Sequence, residues 1–106
     1  MNQHLFFFFL KGRFRPIDSS SIMLIESDSN YSHIYTKDQA FTIIGQLHAL
    51  EKKLPPESFC RVHRQYIISI KHIRYVSRQH VGIGDRDIPL SDKYYRDLMS
   101  KILVIR

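Results

Sequence analysis

The 106 residues include no Trp, one Cys, four Gly and four Pro. A lone cysteine cannot form an internal disulfide, so Cys60 points to a reducing, cytoplasmic setting. Long apolar runs are missing too. The one candidate membrane or export segment is "LFFFFL", residues 5 to 10, with no basic residue before it. It falls well short of the roughly 20 residues that span a bilayer, and of the about 7 to 15 in a signal-peptide core. The run reads instead as a buried strand, with an edge for another part of a longer chain to cover.

Catalytic signatures are equally scarce. Paired carboxylates, a Gly-rich phosphate loop and a Ser elbow are absent. The histidines at 4, 33, 48, 63, 72 and 80 form no i, i+3 or i, i+4 pair on an expected helix, and no second Cys accompanies them, so no metal site is expected. Cys60 and His63 lie three apart on an expected strand and so face opposite sides, which separates a thiol from its base. The expectation is a protein that is not an enzyme, with no catalytic residue, no cofactor and no small-molecule substrate.

What the chain does have is a core. An apolar fraction of 43% and a charged fraction of 25% are ordinary for one folded domain. Short apolar segments follow one another closely: "LFFFFL", "FRPI", "IMLIES", "YSHIYT", "AFTII", "FCRV", "YIISI", "HIRYVS", "HVGIG" and "RDIPL". Turn-forming clusters such as "DSSS", "SDSN" and "TKDQ" separate them, which predicts mostly antiparallel β-sheets. Two segments depart from this rhythm. "GQLHALEKKLPP" sets Leu47, Leu50 and Leu54 on one face and stops at Pro55 and Pro56, a two-turn helix over about 46–54. "LSDKYYRDLMSKIL" predicts a second helix over about 92–103, with Ser91 as N-cap and Tyr94, Leu98 and Ile102 inward.

The net charge of +6 is unevenly spread. Residues 1–60 hold six basic and six acidic side chains, whereas residues 61–106 hold ten and four. Such asymmetry favours a polyanionic partner, nucleic acid before anionic lipid. The basic half opens with "FCRVHRQYIISI", residues 59 to 70. Cys60, Val62, Tyr66, Ile68 and Ile70 alternate on one face with Arg61, His63, Gln65 and Ser69 opposite, but Arg64 falls on the apolar face. An unpaired buried guanidinium costs several kcal/mol, so the strand is expected to bulge or turn at 63–65 and release His63, Arg64 and Gln65. Arg and Gln can pair with guanine and adenine edges; a salt bridge from Arg64 to Glu26 stays open as the other reading. Two further loops carry groups able to bond phosphate or bases. Asn30, Tyr31, Ser32 and His33 lie in "SDSNYSH", and Lys93 and Arg96 follow the free N–H groups at the start of the last helix.

Together, "IMLIESDSNYSHIYT", "LHALEKKLPPESFCRVHRQYIISIKHI" and "IPLSDKYYRDL" resemble the LytTR-type DNA-binding domain of bacterial transcriptional regulators, from about residue 17 to 103 of a single domain spanning 1–106. The resemblance implies elongated β-sheets whose loops enter successive major grooves of double-stranded DNA, at paired direct-repeat promoter sites that two copies could occupy. By position it implies three contact sets: Asn30, Tyr31, Ser32 and His33; His63, Arg64 and Gln65, with Arg61 in the same run; and Ser91 with Lys93. The chain departs from the family at Gln65 and Ser69, and at Asp92, where a basic residue is common. The family's usual receiver domain is not within these residues, leaving open an excised domain or a signal that arrives another way. The rival reading is a protein-interaction or membrane-associated module of the same fold that does not bind DNA, with "LFFFFL" as its exposed apolar edge.

Overall fold

The computed structural model describes residues 4–106. Ten strands and two helices follow in the order β1 (Leu5–Leu10), β2 (Arg13–Asp18), β3 (Ile22–Asp28), β4 (Tyr31–Thr36), β5 (Ala40–Ile44), α1 (Leu47–Lys53), β6 (Phe59–His63), β7 (Tyr66–Ser69), β8 (Ile73–Val76), β9 (His80–Ile83), β10 (Arg86–Pro89) and α2 (Asp92–Ser100). Each apolar segment of the sequence became a strand, and both helices start where apolar spacing puts them. The domain is elongated, 47 × 31 × 25 Å.

Every paired strand is antiparallel, in three sheets. The central sheet has the order β5-β4-β3-β7-β6; β10-β9-β8 forms a second sheet and β1-β2 a ribbon. Neighbouring residues of the central sheet enter different cores. Leu24, Cys60, Val62 and Ile68 pack with Val81, Ile83, Ile88 and Leu90 of the second sheet and with Leu98 of α2. Ile22, Ile25, Ile34, Phe59 and Ile67 pack on the opposite face with Phe8 of the ribbon and Leu47 and Leu54 of α1. Both faces of the sheet are therefore covered, and its central strands read as apolar runs rather than as alternation.

This geometry corrects several expectations. The face opposite Cys60 and Val62 is not polar throughout: Ser69 is buried, and Phe59 and Ile67 belong to the second core. The "LFFFFL" strand exists, but only Phe8 is fully buried, while Phe7 and Phe9 are 61% and 58% exposed. A two-stranded ribbon lying on a core has one face to bury, and alternation turns Phe7, Phe9 and the paired Phe14 outward. The last helix stops at Ser100, short of 103, and Leu103 is exposed. Ser91 holds the N-cap position, but its hydroxyl caps nothing; its N–H donates to the Val62 carbonyl at 2.9 Å.

Gly82 illustrates how tightly the second sheet is built. It is buried and faces Tyr75 across the β8–β9 pair, and a Cβ at this position would lie 2.3 Å from the Tyr75 ring. That ring is held in place, because the Tyr75 hydroxyl donates to Asp87 and the Arg74 guanidinium lies 5.5 Å from its centroid. Overpacking of this kind costs roughly 1–3 kcal/mol. Gly82→Ala is therefore expected to lower unfolding stability by about that amount, read from urea denaturation midpoints at unchanged m-value; an unaltered midpoint would show that the ring yields freely.

Candidate nucleic-acid interface

The first predicted loop is a tight turn. Asp28 pairs with Tyr31 across β3–β4, and Ser29 takes a φ of 56° to close it. Asn30 stands exposed at the tip, with its side-chain oxygen accepting from the Gln46 amide at 3.4 Å and its carbonyl accepting from the Gly45 N–H at 2.8 Å. Gly45 has a φ of 154°, open to glycine rather than to L side chains, and this bends the chain from β5 into α1 beside the turn. Tyr31 is 48% exposed. His33 is held by its own neighbours: Nε2 meets the Asp28 carboxylate at 3.0 Å and Nδ1 the Thr42 hydroxyl at 2.7 Å. Ser32 departs from the expectation. It is fully buried and its hydroxyl donates to the Gly45 carbonyl at 2.8 Å, so its role is to brace the turn.

The second loop resolves the misplaced charge of the opening stretch. A bulge lies between Arg61 and His63, and the chain then turns at Arg64 and Gln65, with His63 paired to Tyr66. The extra residue brings His63 to the same side as Tyr66, with ring centroids 5.6 Å apart, where simple alternation put them on opposite faces. Arg64 and Gln65 are exposed, and the Arg64 guanidinium makes no hydrogen bond or ion pair among the described residues. Glu26 is engaged elsewhere: its carboxylate accepts from the hydroxyls of Tyr35 and Tyr66, both at 3.0 Å, with Arg86 at 3.9 Å. The salt-bridge reading for Arg64 is thereby set aside. Arg61, expected among the contacts, turns its guanidinium inward. Nη1 meets Glu51 of α1 at 2.9 Å, and Nε and Nη2 donate to the carbonyls of His63 and Arg64 at 3.1 and 2.5 Å.

Backbone hydrogen bonds bring the loops together. The Ser27 N–H donates to the Gln65 carbonyl at 2.9 Å, so the Arg64–Gln65 turn sits beside the end of β3 that leads to Asn30. On its other side the Ser91–Val62 bond places the start of α2 against β6. Lys93 is exposed there, with its ammonium 5.4 Å from the Tyr94 ring. The second loop thus lies between the first and the third. The start of α2 also holds the Asp92 carboxylate, which favours the helix N-terminus itself and competes with a phosphate for it. Arg78, which sequence reasoning passed over, meets that carboxylate at 3.1 Å and lies 4.1 Å from the Tyr95 ring. It restores positive charge where Asp92 removes it. Gln46 at the first loop was also missed; only the fold joins either residue to its loop.

Cys60 and His63 make no dyad. The Cys60 thiol is pushed up to about 11 by burial, and Sγ lies 3.6 Å from Asp97. The His63 ring accepts from the Gln65 N–H at 3.1 Å. Among the described residues no group of three His, Cys, Asp or Glu side chains could hold a metal, and no helix is long and apolar enough to cross a membrane.

Fold and loop set define a class, an elongated β-rich domain of antiparallel sheets that gathers three loops side by side. The model of the LytTr DNA-binding domain family matches residues 12–103, and the chain belongs to that family. β1 lies outside the match. The LytTr DNA-binding domain of a response regulator from Bacillus cereus superposes with a TM-score of 0.75 at 20% identity, covering 92% of this chain and 98% of that one. The CO-responsive transcriptional regulator RcoM of Rhodospirillum rubrum is 33% identical over 67 residues, 62% of this chain and 28% of its own length. The sensory transduction protein LytT of Bacillus subtilis is 27% identical over 88 residues, 77% of this chain and 36% of its own. The chain therefore corresponds to about a third of these relatives.

The His63 pKa is lowered from 6.5 by partial burial first, then by the charges of Arg64 and Arg61. The folded chain thus prefers neutral His63, and the stability this group contributes is present above the unfolded value and lost as pH falls from there through the lower folded one. Arg64→Ala is expected to raise the His63 titration midpoint toward 6.5, followed by NMR of the ring protons. A midpoint unmoved by the substitution would mean that the guanidinium swings away from the ring.

Proposed function

We propose that the chain is the sequence-specific, non-enzymatic part of a bacterial transcriptional regulator, working on double-stranded DNA in the cytoplasm. The turns at Asn30–Tyr31 and Arg64–Gln65 and the start of α2 at Ser91–Lys93 meet successive major grooves along one face of the duplex. Lys and Arg side chains of the basic half engage phosphates and supply salt-dependent affinity. Arg64 reads a base edge, with Gln65 and the Asn30 turn beside it. Two copies occupy paired direct repeats, and a receiver domain of a longer parent chain controls them.

One observation carries the reading. Arg64 is exposed at the tip of a turn, without a partner among the described residues, on the loop that lies between the other two. The regulators named above support the same assignment. Two side chains expected to touch DNA leave the list: Ser32 is buried, and Arg61 is turned into the protein. His33, with both ring nitrogens engaged by Thr42 and Asp28, contributes by supporting the turn.

Arg64→Ala is expected to weaken binding to a preferred site by roughly 1–3 kcal/mol and to relax selection at one base position, with little change on random DNA. Fluorescence anisotropy at several salt concentrations measures both. An equal loss on all sequences, with a smaller salt slope, would make Arg64 a phosphate contact and defeat the readout.

A further inference from the structure

The Arg61 guanidinium occupies an unusual place for a residue in so basic a half. Its side chain is 13% exposed and its donors are directed at three acceptors. Two of these are main-chain carbonyls of consecutive residues, His63 and Arg64, on the loop that carries the unpaired arginine. The third is Glu51, on α1, at 2.9 Å. The Tyr94 ring of α2 lies 6.0 Å from the guanidinium carbon. One planar, always-charged fork therefore joins α1, the β6–β7 turn and the start of α2, a geometry that a lysine's single ammonium cannot reproduce.

The turn needs such support from outside itself. Neither Arg64 nor Gln65 is a glycine or a proline, and neither adopts the positive φ by which the commonest two-residue hairpins close. The strand entering the turn is bulged, so ladder hydrogen bonding is interrupted just before it. Carbonyls at 63 and 64 would otherwise face solvent, and the arginine between them would sample many directions.

We infer that Arg61 is a positioning residue for sequence readout: clamped by Glu51, it fixes the main chain at His63 and Arg64 so that the Arg64 guanidinium is presented in one direction, without itself touching DNA. This rests on the reading above, in which Arg64 meets a base. Selective hydrogen bonding at a base edge depends on a donor pair held in place, whereas phosphate attraction depends on charge alone. Loosening the clamp while keeping the charge should consequently remove preference and leave non-specific affinity.

Arg61→Lys makes that separation. The ratio of affinities for a preferred site and for random DNA is expected to fall roughly tenfold, approaching that of Arg64→Ala. Affinity for random DNA and the salt slope should stay as in the parent chain. Adding Arg64→Ala to Arg61→Lys should cost little more, since both act on one contact. Glu51→Gln, which frees the fork on one side, should give an intermediate loss. In the DNA-free protein, carbonyl 13C shifts of residues 63 and 64 should move and 15N order parameters at 64 and 65 should drop, with urea unfolding confirming that each variant is folded. Unmoved carbonyl shifts would overturn the clamp. Preference kept in Arg61→Lys but lost in Arg64→Ala would overturn its role in readout, as would an equal loss on every sequence. Preference kept in Arg64→Ala while the carbonyl shifts move in Arg61→Lys would instead defeat the assignment of readout to Arg64, leaving a clamp without that use.

Discussion

Burial of the central sheet on both faces is the constraint from which the rest of the structure follows. Leu24 pairs with Ile68 and Ile25 with Ile67, and the first pair belongs to one core and the second to the other. A one-residue slip between β3 and β7 would move every side chain to the opposite face. Two apolar faces make that slip less costly than usual, so polar groups must specify the register. Glu26 does so: beyond the four isoleucines and leucines it receives both Tyr hydroxyls, one from β4 and one from β7. Burial first, and those bonds after it, raise the pKa of Tyr35 and Tyr66, keeping both as neutral donors. With β3, β4 and β7 locked at Glu26, the turns just beyond it have little freedom in where they emerge.

Much of this was legible in the sequence because it depends on local pattern. Short runs such as "AFTII" and "RDIPL" became strands, and Leu47, Leu50 and Leu54 marked α1 through spacing alone. The inconsistency at Arg64 was informative as well, since a charge in a core register can be relieved only by leaving that register. Failures share one cause: alternation shows that a residue has a side, not what lies on that side. Ser69 and Phe59 share the face called polar, and it is the ribbon and α1, distant in sequence, that bury it. Phe7 and Phe9 err in the opposite sense, because a run of identical apolar residues carries no period from which to learn which half is exposed.

At the candidate interface the same distinction decides which of the expected residues the fold leaves exposed. Side chains at turn tips, Asn30 and Arg64, are exposed for reasons visible in their own neighbourhoods. Ser32 and Arg61 carry the same hydrogen-bonding chemistry, yet the fold uses it internally, on the Gly45 carbonyl and on the loop backbone. Residue type therefore identified polar groups clustered around the loops without separating those left exposed from those that shape the loop. Arg78 completes the point from the other side, since only the pairing of β9 with β10, continued by the Leu90 N–H donating to the Gln79 carbonyl, carries it to Asp92.

Charge placement then links structure to binding. Phosphates attract any accessible cation, so in the proposed reading the excess of the second half is the source of affinity whatever the detailed geometry. Selectivity demands more, because an arginine reads a base only if its backbone is held while the remaining cations slide along phosphates. Under that proposal the two arginines of "RVHR" divide these demands, one turned into the protein and one left at the surface without a partner among the described residues. A lysine could carry the same charge at either position, but its single ammonium could not reach acceptors spread over Nε, Nη1 and Nη2 in the interior or present a planar donor pair outside. The choice of arginine at both positions follows from geometry rather than from charge.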